Sequence, residues 1–139
     1  MKIFKILFVV SLFVSSISFS QAPLINVPSV SPDGLQIAFN FQGDIWTATI
    51  KGENVKRLTV HEAYDTNPLW SHDGSAIAFE SNRYGNSDIF TISTDGGIPK
   101  RITYHSASDY ITDYTKDHNI IFSTRRDFAQ VEREYETHM

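Results

Sequence analysis

The sequence contains no cysteine, which removes disulfides, thiolate metal sites and a cysteine nucleophile from consideration. It also has no excess of positive charge, because 12 Lys and Arg residues stand against 16 Asp and Glu residues for a net charge of -4. Binding to nucleic acid depends on a clustered basic face, so no nucleic-acid partner is expected. With 41% hydrophobic and 13% aromatic residues, the composition is typical of a chain that folds around a core.

Long apolar runs are missing except at the amino terminus. There, Lys2 and Lys5 lead into Ile6–Val14, which is apolar apart from Ser11, and several serines follow up to Ser20. This order is typical of a secretory signal peptide, and the apolar run is far shorter than the roughly 20 residues of a membrane-spanning helix. We therefore predict a signal peptide at residues 1–20. The chain would be exported to the bacterial periplasm or cell exterior, with no membrane span after cleavage.

The remainder of the chain repeats itself. Ser31-Pro32-Asp33-Gly34 recurs about 40 residues later as Ser71-His72-Asp73-Gly74, and a third copy starts at Thr115-Lys116-Asp117-His118. Other matched segments are Ile37-Ala38-Phe39 with Ile77-Ala78-Phe79, Asp44-Ile45-Trp46 with Asp88-Ile89-Phe90, and Arg57-Leu58-Thr59 with Arg101-Ile102-Thr103. The second copy differs in one respect, since it carries a longer hairpin loop, Asn82–Ser87.

Each repeat is predicted to form four short strands, because apolar residues alternate with a period of two and turn residues separate the runs. In the first copy the strands fall near Ser29–Ser31, Gln36–Phe41, Asp44–Ile50 and Lys56–Thr59. Four strands in about 40 to 45 residues indicate a blade of a β-propeller. The large residues predicted to fill the gaps between blades are Phe39, Trp46, Trp70, Phe79, Phe90 and Phe122. A β-sandwich also fits the strand count and stays open as an alternative.

The predicted fold is all-β, an incomplete β-propeller of about two and a half four-stranded blades after the signal peptide. Residues 21–139 form it, with blade 1 at about 28–67, blade 2 at about 68–110 and the start of blade 3 at about 111–139. The third copy reaches Phe122 without a further Asp-Ile-Trp segment. Either the chain is a fragment of a longer protein, or several chains assemble to close the ring. His118 and Lys116 replace the turn glycine and proline, which leaves the turn geometry of the third copy open.

Candidate site residues lie in the loops that connect the blades. His61 and His105 occupy the same repeat position, one blade apart, so they cannot share a metal ion and are expected to hydrogen-bond within their loops. Asp44 and Asp88 each begin a strand, where a carboxylate can accept backbone N–H bonds. No catalytic residue, metal site or cofactor is predicted. The residues predicted to contact ligands or partners are His61, Tyr64, Asp65, Asn67, His105 and Asp109 in the loops, with Arg83 and Tyr84 at an exposed hairpin tip. Ordinary solvated connections remain the alternative reading of these loops.

These repeats resemble the propeller units of the periplasmic TolB protein and of tricorn-type peptidases. Details such as Asp44-Ile45-Trp46, Tyr64-Asp65-Thr66-Asn67-Pro68 and Ser81-Asn82-Arg83-Tyr84-Gly85 are similar to the first propeller of the tricorn-like enzymes. The resemblance covers about Val27 to Arg126. It implies an exported or cytosolic serine peptidase whose amino-terminal propellers precede a PDZ domain and the catalytic domains, and gate or scaffold peptide substrates. A TolB-like propeller that binds proteins without peptidase activity is the alternative. The implied partners are peptides or proteins and the remaining blades and domains of the parent chain.

Overall fold

The structure, a computed structural model, describes residues 25–126, and these residues form strands and turns without a helix. The predicted signal peptide and the charged stretch after Arg126 lie outside the described residues. In chain order the strands are β1 Asn26–Val30, β2 Gln36–Phe41, β3 Asp44–Thr49, β4 Lys56–Arg57, β5 Asp65–Trp70, β6 Ala76–Ser81, β7 Asp88–Ser93, β8 Lys100–Arg101, β9 Asp109–Tyr114 and β10 Ile120–Thr124. No helix able to cross a membrane occurs between residues 25 and 126.

The strands form separate antiparallel sheets made of neighbours in sequence. The first sheet has the order β1-β2-β3-β4, the second has β5-β6-β7-β8, and β9 pairs with β10. Each β2 residue from Gln36 to Phe41 pairs with a residue of β3, and the equivalent register joins β6 to β7. The prediction of an all-β, unclosed propeller is confirmed, and the β-sandwich alternative is wrong because consecutive strands build one small sheet per repeat.

The first turn has the same construction in both complete blades. The Ser31 hydroxyl donates to Asp33 at 2.6 Å and the Leu35 N–H donates to the same carboxylate at 3.0 Å. Ser71 and Asp73 repeat this arrangement, with the Ser75 N–H as the backbone donor at 3.0 Å. These bonds favour the charged carboxylates, so the serine hydroxyls first, and then the backbone N–H groups, hold the pKa of Asp33 and Asp73 below its usual value. The stability they contribute is present above about pH 4 and is lost as the pH falls below it.

The third copy keeps this turn although it lacks the glycine. His118 adopts φ 63°, close to the φ 72° of Gly74 at the equivalent position, and its N–H donates to the Thr115 carbonyl at 3.1 Å. Histidine tolerates the left-handed region better than most residues with a side chain. The substitution therefore preserves the hairpin between β9 and β10, and the predicted register is retained.

The core lies where adjacent sheets face one another. β5 packs against β1, β2 and β3, and β9 packs against β5, β6 and β7. The buried cluster consists of Ala38, Ile45, Leu58, Trp70, Ile77, Phe79, Phe90 and Ile92. Hydrogen bonds cross the same boundaries: the Trp70 indole donates to the Ser29 carbonyl at 3.1 Å, and Lys56 Nζ donates to the Asp95 carbonyl at 2.7 Å.

Four of the six large residues predicted between the blades are buried, namely Phe39, Trp70, Phe79 and Phe90. Trp46 is half-buried because it lies near the outer side of the first sheet, where its indole donates to the Phe41 carbonyl at 3.1 Å. Phe122 is exposed, on a sheet that has no further sheet packed against it within the described residues. Burial thus follows the contact between one sheet and the next.

A β-bulge interrupts the first strand of each complete blade, which is the inner strand of a propeller blade. It falls between Asn26 and Ser29 in β1 and between Thr66 and Leu69 in β5. The bulged residue has a left-handed backbone in both, with φ 48° at Val27 and φ 52° at Asn67. Asparagine adopts the left-handed backbone region more readily than most residues, whereas a β-branched side chain is strained there.

Exchanging the two bulge residues is expected to change stability in opposite directions. Val27→Asn should raise the free energy of unfolding by about 1 kcal/mol, because it relieves β-branched strain. Asn67→Val should lower it by about 2 kcal/mol, because it introduces that strain and removes the hydrogen bond to Glu80. Urea denaturation of the full chain measures both. Val30→Asn, at an exposed β1 position outside the bulge, is the control, and an equal gain there would show that Val27 is unstrained.

Candidate functional site

The two inter-blade loops have the same internal geometry. His61 Nδ1 accepts the Ala63 N–H at 2.9 Å, and His105 Nδ1 accepts the Ala107 N–H at 3.0 Å. Each ring is therefore fixed by its own loop and, when neutral, carries its hydrogen on Nε2. Both histidines are exposed. Between residues 25 and 126 no three His, Asp or Glu side chains are grouped closely enough to hold a metal ion.

The aspartates of these loops are buried and bound to arginine. Asp65 begins β5, is 0% exposed and accepts from Arg83 Nη2 at 2.7 Å. Asp109 occupies the same place at the start of β9 and accepts from Arg126 Nη2 at 3.1 Å. Asp65 thereby holds the hairpin after β6, and Asp109 holds the residues directly after β10, so these buried carboxylates do not form an open ligand surface.

The expectation that Arg83 is exposed at the hairpin tip is wrong. Its side chain is only 11% exposed, because the loop folds the guanidinium back over the rings of Phe79 at 5.6 Å and Phe90 at 4.8 Å. Tyr84 is exposed as expected, at 62%, and its ring stacks on Phe90 with centroids 6.2 Å apart. Tyr84 is thus the more accessible of the two hairpin residues.

Tyr64 connects the first blade to the second, whereas Asn67 is bonded within the second blade. The Tyr64 hydroxyl donates to Asn40 Oδ1 at 3.2 Å, and the Asn40 amide donates to the Asp65 carbonyl. Asn67 donates to Glu80 Oε1 at 2.7 Å. Asn40 in β2 and Glu80 in β6 are buried at equivalent positions of their blades. Each bonds to the first strand of the following blade, Asn40 to Asp65 and Glu80 to Ile111.

Glu80 makes the equivalent attachment to the third blade. The same Oε1 that accepts from Asn67 also accepts the Ile111 N–H of β9 at 2.8 Å. A buried carboxylate with two donors of this kind is satisfied without a cation. The structure therefore gives the half-buried side chain of Asn67 a hydrogen bond inside the fold, and its predicted contact with a ligand stays a prediction.

The prediction that Asp44 accepts a backbone N–H is confirmed, since its Oδ1 accepts from His61 N at 3.2 Å. The stronger partner was missed by the sequence analysis: Arg57 forms an ion pair with Asp44, and Arg101 forms the equivalent pair with Asp88 at 2.6 Å. The repeated Arg-Leu/Ile-Thr segment was the available signal, because its spacing from Asp-Ile-Trp/Phe is constant in both blades.

A threonine hydroxyl completes each of these networks. Thr59 Oγ1 accepts the Ile45 N–H at 3.0 Å, and Thr103 Oγ1 accepts the Ile89 N–H at 3.0 Å. The arginine of each blade also donates through Nε to the carbonyl of that threonine, at 2.8 Å from Arg101 to Thr103. Charged and neutral hydrogen bonds together fix the start of the third strand to the end of the fourth.

Two concave surfaces lie beside the first inter-blade loop. A cleft of about 570 Å³ is lined by Arg57, Val60, His61 and Glu62. A groove of about 350 Å³ runs along the boundary between blades 1 and 2 and is lined by Leu58, Thr59, Val60, His61, Arg83, Gly97, Ile98 and Pro99. His61 is the one predicted site residue that borders both surfaces.

The fold and these contacts define the chain as a β-propeller segment in which the polar groups described above bond within their own blade or to the next one. A family model, the tricorn protease N-terminal β-propeller domain, matches residues 22–137. The chain belongs to this family.

Individual relatives agree with the assignment. Tricorn protease homolog 1 of Streptomyces coelicolor is 30% identical over 73 residues, which are 52% of this chain and 7% of the relative. TolB from Acinetobacter baumannii is 28% identical with a TM-score of 0.60, over 70% of this chain and 26% of that structure. The tricorn protease structure has a TM-score of 0.64 at 23% identity, over 73% of this chain and 11% of that structure, and shows the shared fold. The chain thus spans only a small part of the relatives it matches.

Removing one carboxylate of the recurring ion pairs should destabilise the fold. Asp88→Asn is expected to lower the free energy of unfolding by about 3 kcal/mol, because it leaves the guanidinium of Arg101 without its buried counter-charge. Asp95→Asn changes an exposed turn residue and should stay within about 0.5 kcal/mol of the original chain. Urea denaturation compares the two variants. Equal losses in both would contradict a structural role of the Asp88 pair.

Proposed function

We propose that the chain is a non-catalytic propeller segment of an exported tricorn-like serine peptidase, where it gates or scaffolds peptide substrates for proteolysis. The observation that carries the proposal is the match of residues 22–137 to the tricorn N-terminal propeller family. The relative from Streptomyces coelicolor, itself described as a tricorn protease homolog, supports the same parent class. The PDZ and catalytic domains would belong to other parts of the parent chain.

The use of polar residues in the described part of the chain supports a non-catalytic role. Asp65 and Asp109 bind arginines, while His61 and His105 each bind a backbone N–H of their own loop. Acid–base catalysis requires titratable groups that converge on one substrate position. Repeat-equivalent residues do not converge in this way, because each lies in a different blade. The proposed partners are therefore peptides or proteins, together with the remaining blades and domains of the parent.

A TolB-like binding propeller without peptidase activity is the second candidate. It is favoured by one observation, the 28% identity and TM-score of 0.60 to TolB from Acinetobacter baumannii. Both candidates place the protein in the bacterial cell envelope or outside the cell, in agreement with the proposed signal peptide. They differ in the domains that come after the propeller on the parent chain.

Sequencing the genomic DNA on both sides of the coding segment distinguishes the two candidates. For the peptidase, we expect the reading frame to continue through further Asp-Gly and Asp-Ile-Trp repeats into a PDZ-like and a serine-peptidase region. A frame that encodes only propeller repeats would contradict the peptidase and support the TolB-like binding protein. A stop codon directly after Met139 would contradict the proposed fragment and favour assembly of several chains.

Export is tested separately with a reporter that is active only outside the cytoplasm. Residues 1–30, fused to alkaline phosphatase without its own signal, are expected to give active enzyme in the periplasm. The matched control carries Val9→Asp and Val10→Asp, which place charges in the apolar run and should abolish the activity. Equal activity of the two fusions, or none from the unmodified one, would contradict the proposed signal peptide.

A further inference from the structure

The second blade encloses the arginine of its ion pair between two aromatic rings. Arg101 Cζ lies 4.2 Å from the ring centroid of Tyr84 and 4.9 Å from that of Tyr104. Asp88 fixes the guanidinium at 2.6 Å, and the Arg101 side chain is 19% exposed. Both rings come from the same blade, Tyr84 from its hairpin loop and Tyr104 from the residues after β8.

The first blade has the same arginine without these two rings. Arg57 pairs with Asp44 as Arg101 pairs with Asp88, but its side chain is 44% exposed. Its hairpin is the two-residue turn Gln42-Gly43, which offers no counterpart of Tyr84, and Val60 takes the place of Tyr104. Among the described residues, the ring beside Arg57 is that of Trp46, at 5.9 Å.

The missing rings leave a cleft of about 570 Å³ beside Arg57, lined also by Val60, His61 and Glu62. The guanidinium that borders it is held in place by the Asp44 carboxylate and by the Thr59 carbonyl, which Nε reaches at 3.2 Å. His61 contributes an Nε2–H donor, because its Nδ1 is occupied by the Ala63 N–H. The cleft therefore combines an immobilised cation, an apolar side chain, a hydrogen-bond donor and the carboxyl group of Glu62.

We propose that this cleft binds an aromatic side chain of a polypeptide, with the ring face against Arg57. The face of an aromatic ring is negative and attracts a guanidinium, and in the second blade tyrosine rings cover this same arginine position. That the ligand is a polypeptide rests on the proposed function. The preference for an aromatic residue rests on the comparison of the two blades.

The two tryptophans provide the measurement. The indole N–H groups of Trp46 and Trp70 donate to backbone carbonyls at 3.1 Å each, so both are fixed reporters in ¹⁵N-labelled full-length chain. Trp46 lies beside Arg57, whereas Trp70 is buried between the blades. Titration with acetyl-Gly-Tyr-Gly-amide should shift the Trp46 signal saturably and leave Trp70 unchanged. Acetyl-Gly-Leu-Gly-amide should bind about fivefold more weakly, the factor expected for one exposed cation–π contact.

A substitution that supplies the missing ring tests the geometry. Val60→Tyr is expected to cover Arg57 from within the chain and to abolish the Trp46 shift. Leu35→Tyr adds the same ring at an exposed turn residue that does not line the cleft, and it should bind as the original chain does. The Trp70 signal reports whether each variant is folded. Equal affinity for the two peptides, a shift of both tryptophans, or undiminished binding by folded Val60→Tyr would overturn the proposal. The comparison of the two peptides on the unmodified chain tests the proposal even if neither variant folds.

Different results would contradict the proposed function and the proposed aromatic-binding cleft. A parent gene without a peptidase region would remove the proteolytic role but would leave tyrosine-selective binding at the cleft measurable. A peptidase parent whose propeller shows no tyrosine preference would overturn the cleft assignment alone.

Discussion

Each complete sheet depends on a buried aspartate that begins its third strand and binds an arginine from its fourth. The fourth strands, Lys56–Arg57 and Lys100–Arg101, are only two residues long, so backbone pairing alone attaches them weakly. The carboxylates of Asp44 and Asp88 lie inside the fold, where an unpaired charge is costly. The ion pair therefore satisfies the aspartate and, through the neighbouring threonine, fixes the outer strand before the chain passes to the next blade.

A second ion pair joins the start of the inner strand to an arginine that follows the second strand of the same blade. The second blade has Asp65 and Arg83, and the third has Asp109 and Arg126. In the first blade, Ile25 precedes β1 where Asp65 begins β5, and its hairpin is the two-residue turn Gln42-Gly43. The first two blades therefore differ both in the charge at the start of the inner strand and in the length of the hairpin. The two differences belong together, because a buried aspartate without the loop arginine would be unpaired.

The strands and turns could be predicted from the sequence because their signals are local. Alternation places β2 and β3 correctly to within one residue, and the Ser-x-Asp-Gly turns make the same hydrogen bonds in both complete blades. The partners of the aspartates could not be predicted in this way, since residues 13 positions apart meet only through the pairing of β3 with β4. For Arg83 the sequence indicated a loop tip, and the structure shows the loop folded over Phe79 and Phe90.

The candidate site was only partly predictable for the same reason. The sequence located the loops, but a polar residue in a loop can face solvent or the adjacent blade, and that choice depends on the packing of one sheet on another. Asp65 and Asn67 face the fold, whereas His61 borders an open cleft. Repetition does not decide this choice, because His61 recurs as His105, whereas the first blade has Val27 at the position of Asn67.

Ligand specificity in such a segment must come from the positions at which its blades differ. The aspartate, arginine and threonine of the third and fourth strands are the same in both complete blades and are occupied with one another. Val60 and Tyr104, by contrast, stand at one repeat position with different side chains, and the hairpins differ in length beside them. Where the second blade fills the space over its arginine, the first leaves it open. An open position over a fixed guanidinium can take up a ring from outside the chain, so a departure from the repeat creates a binding surface without any change in the interactions that hold the blades.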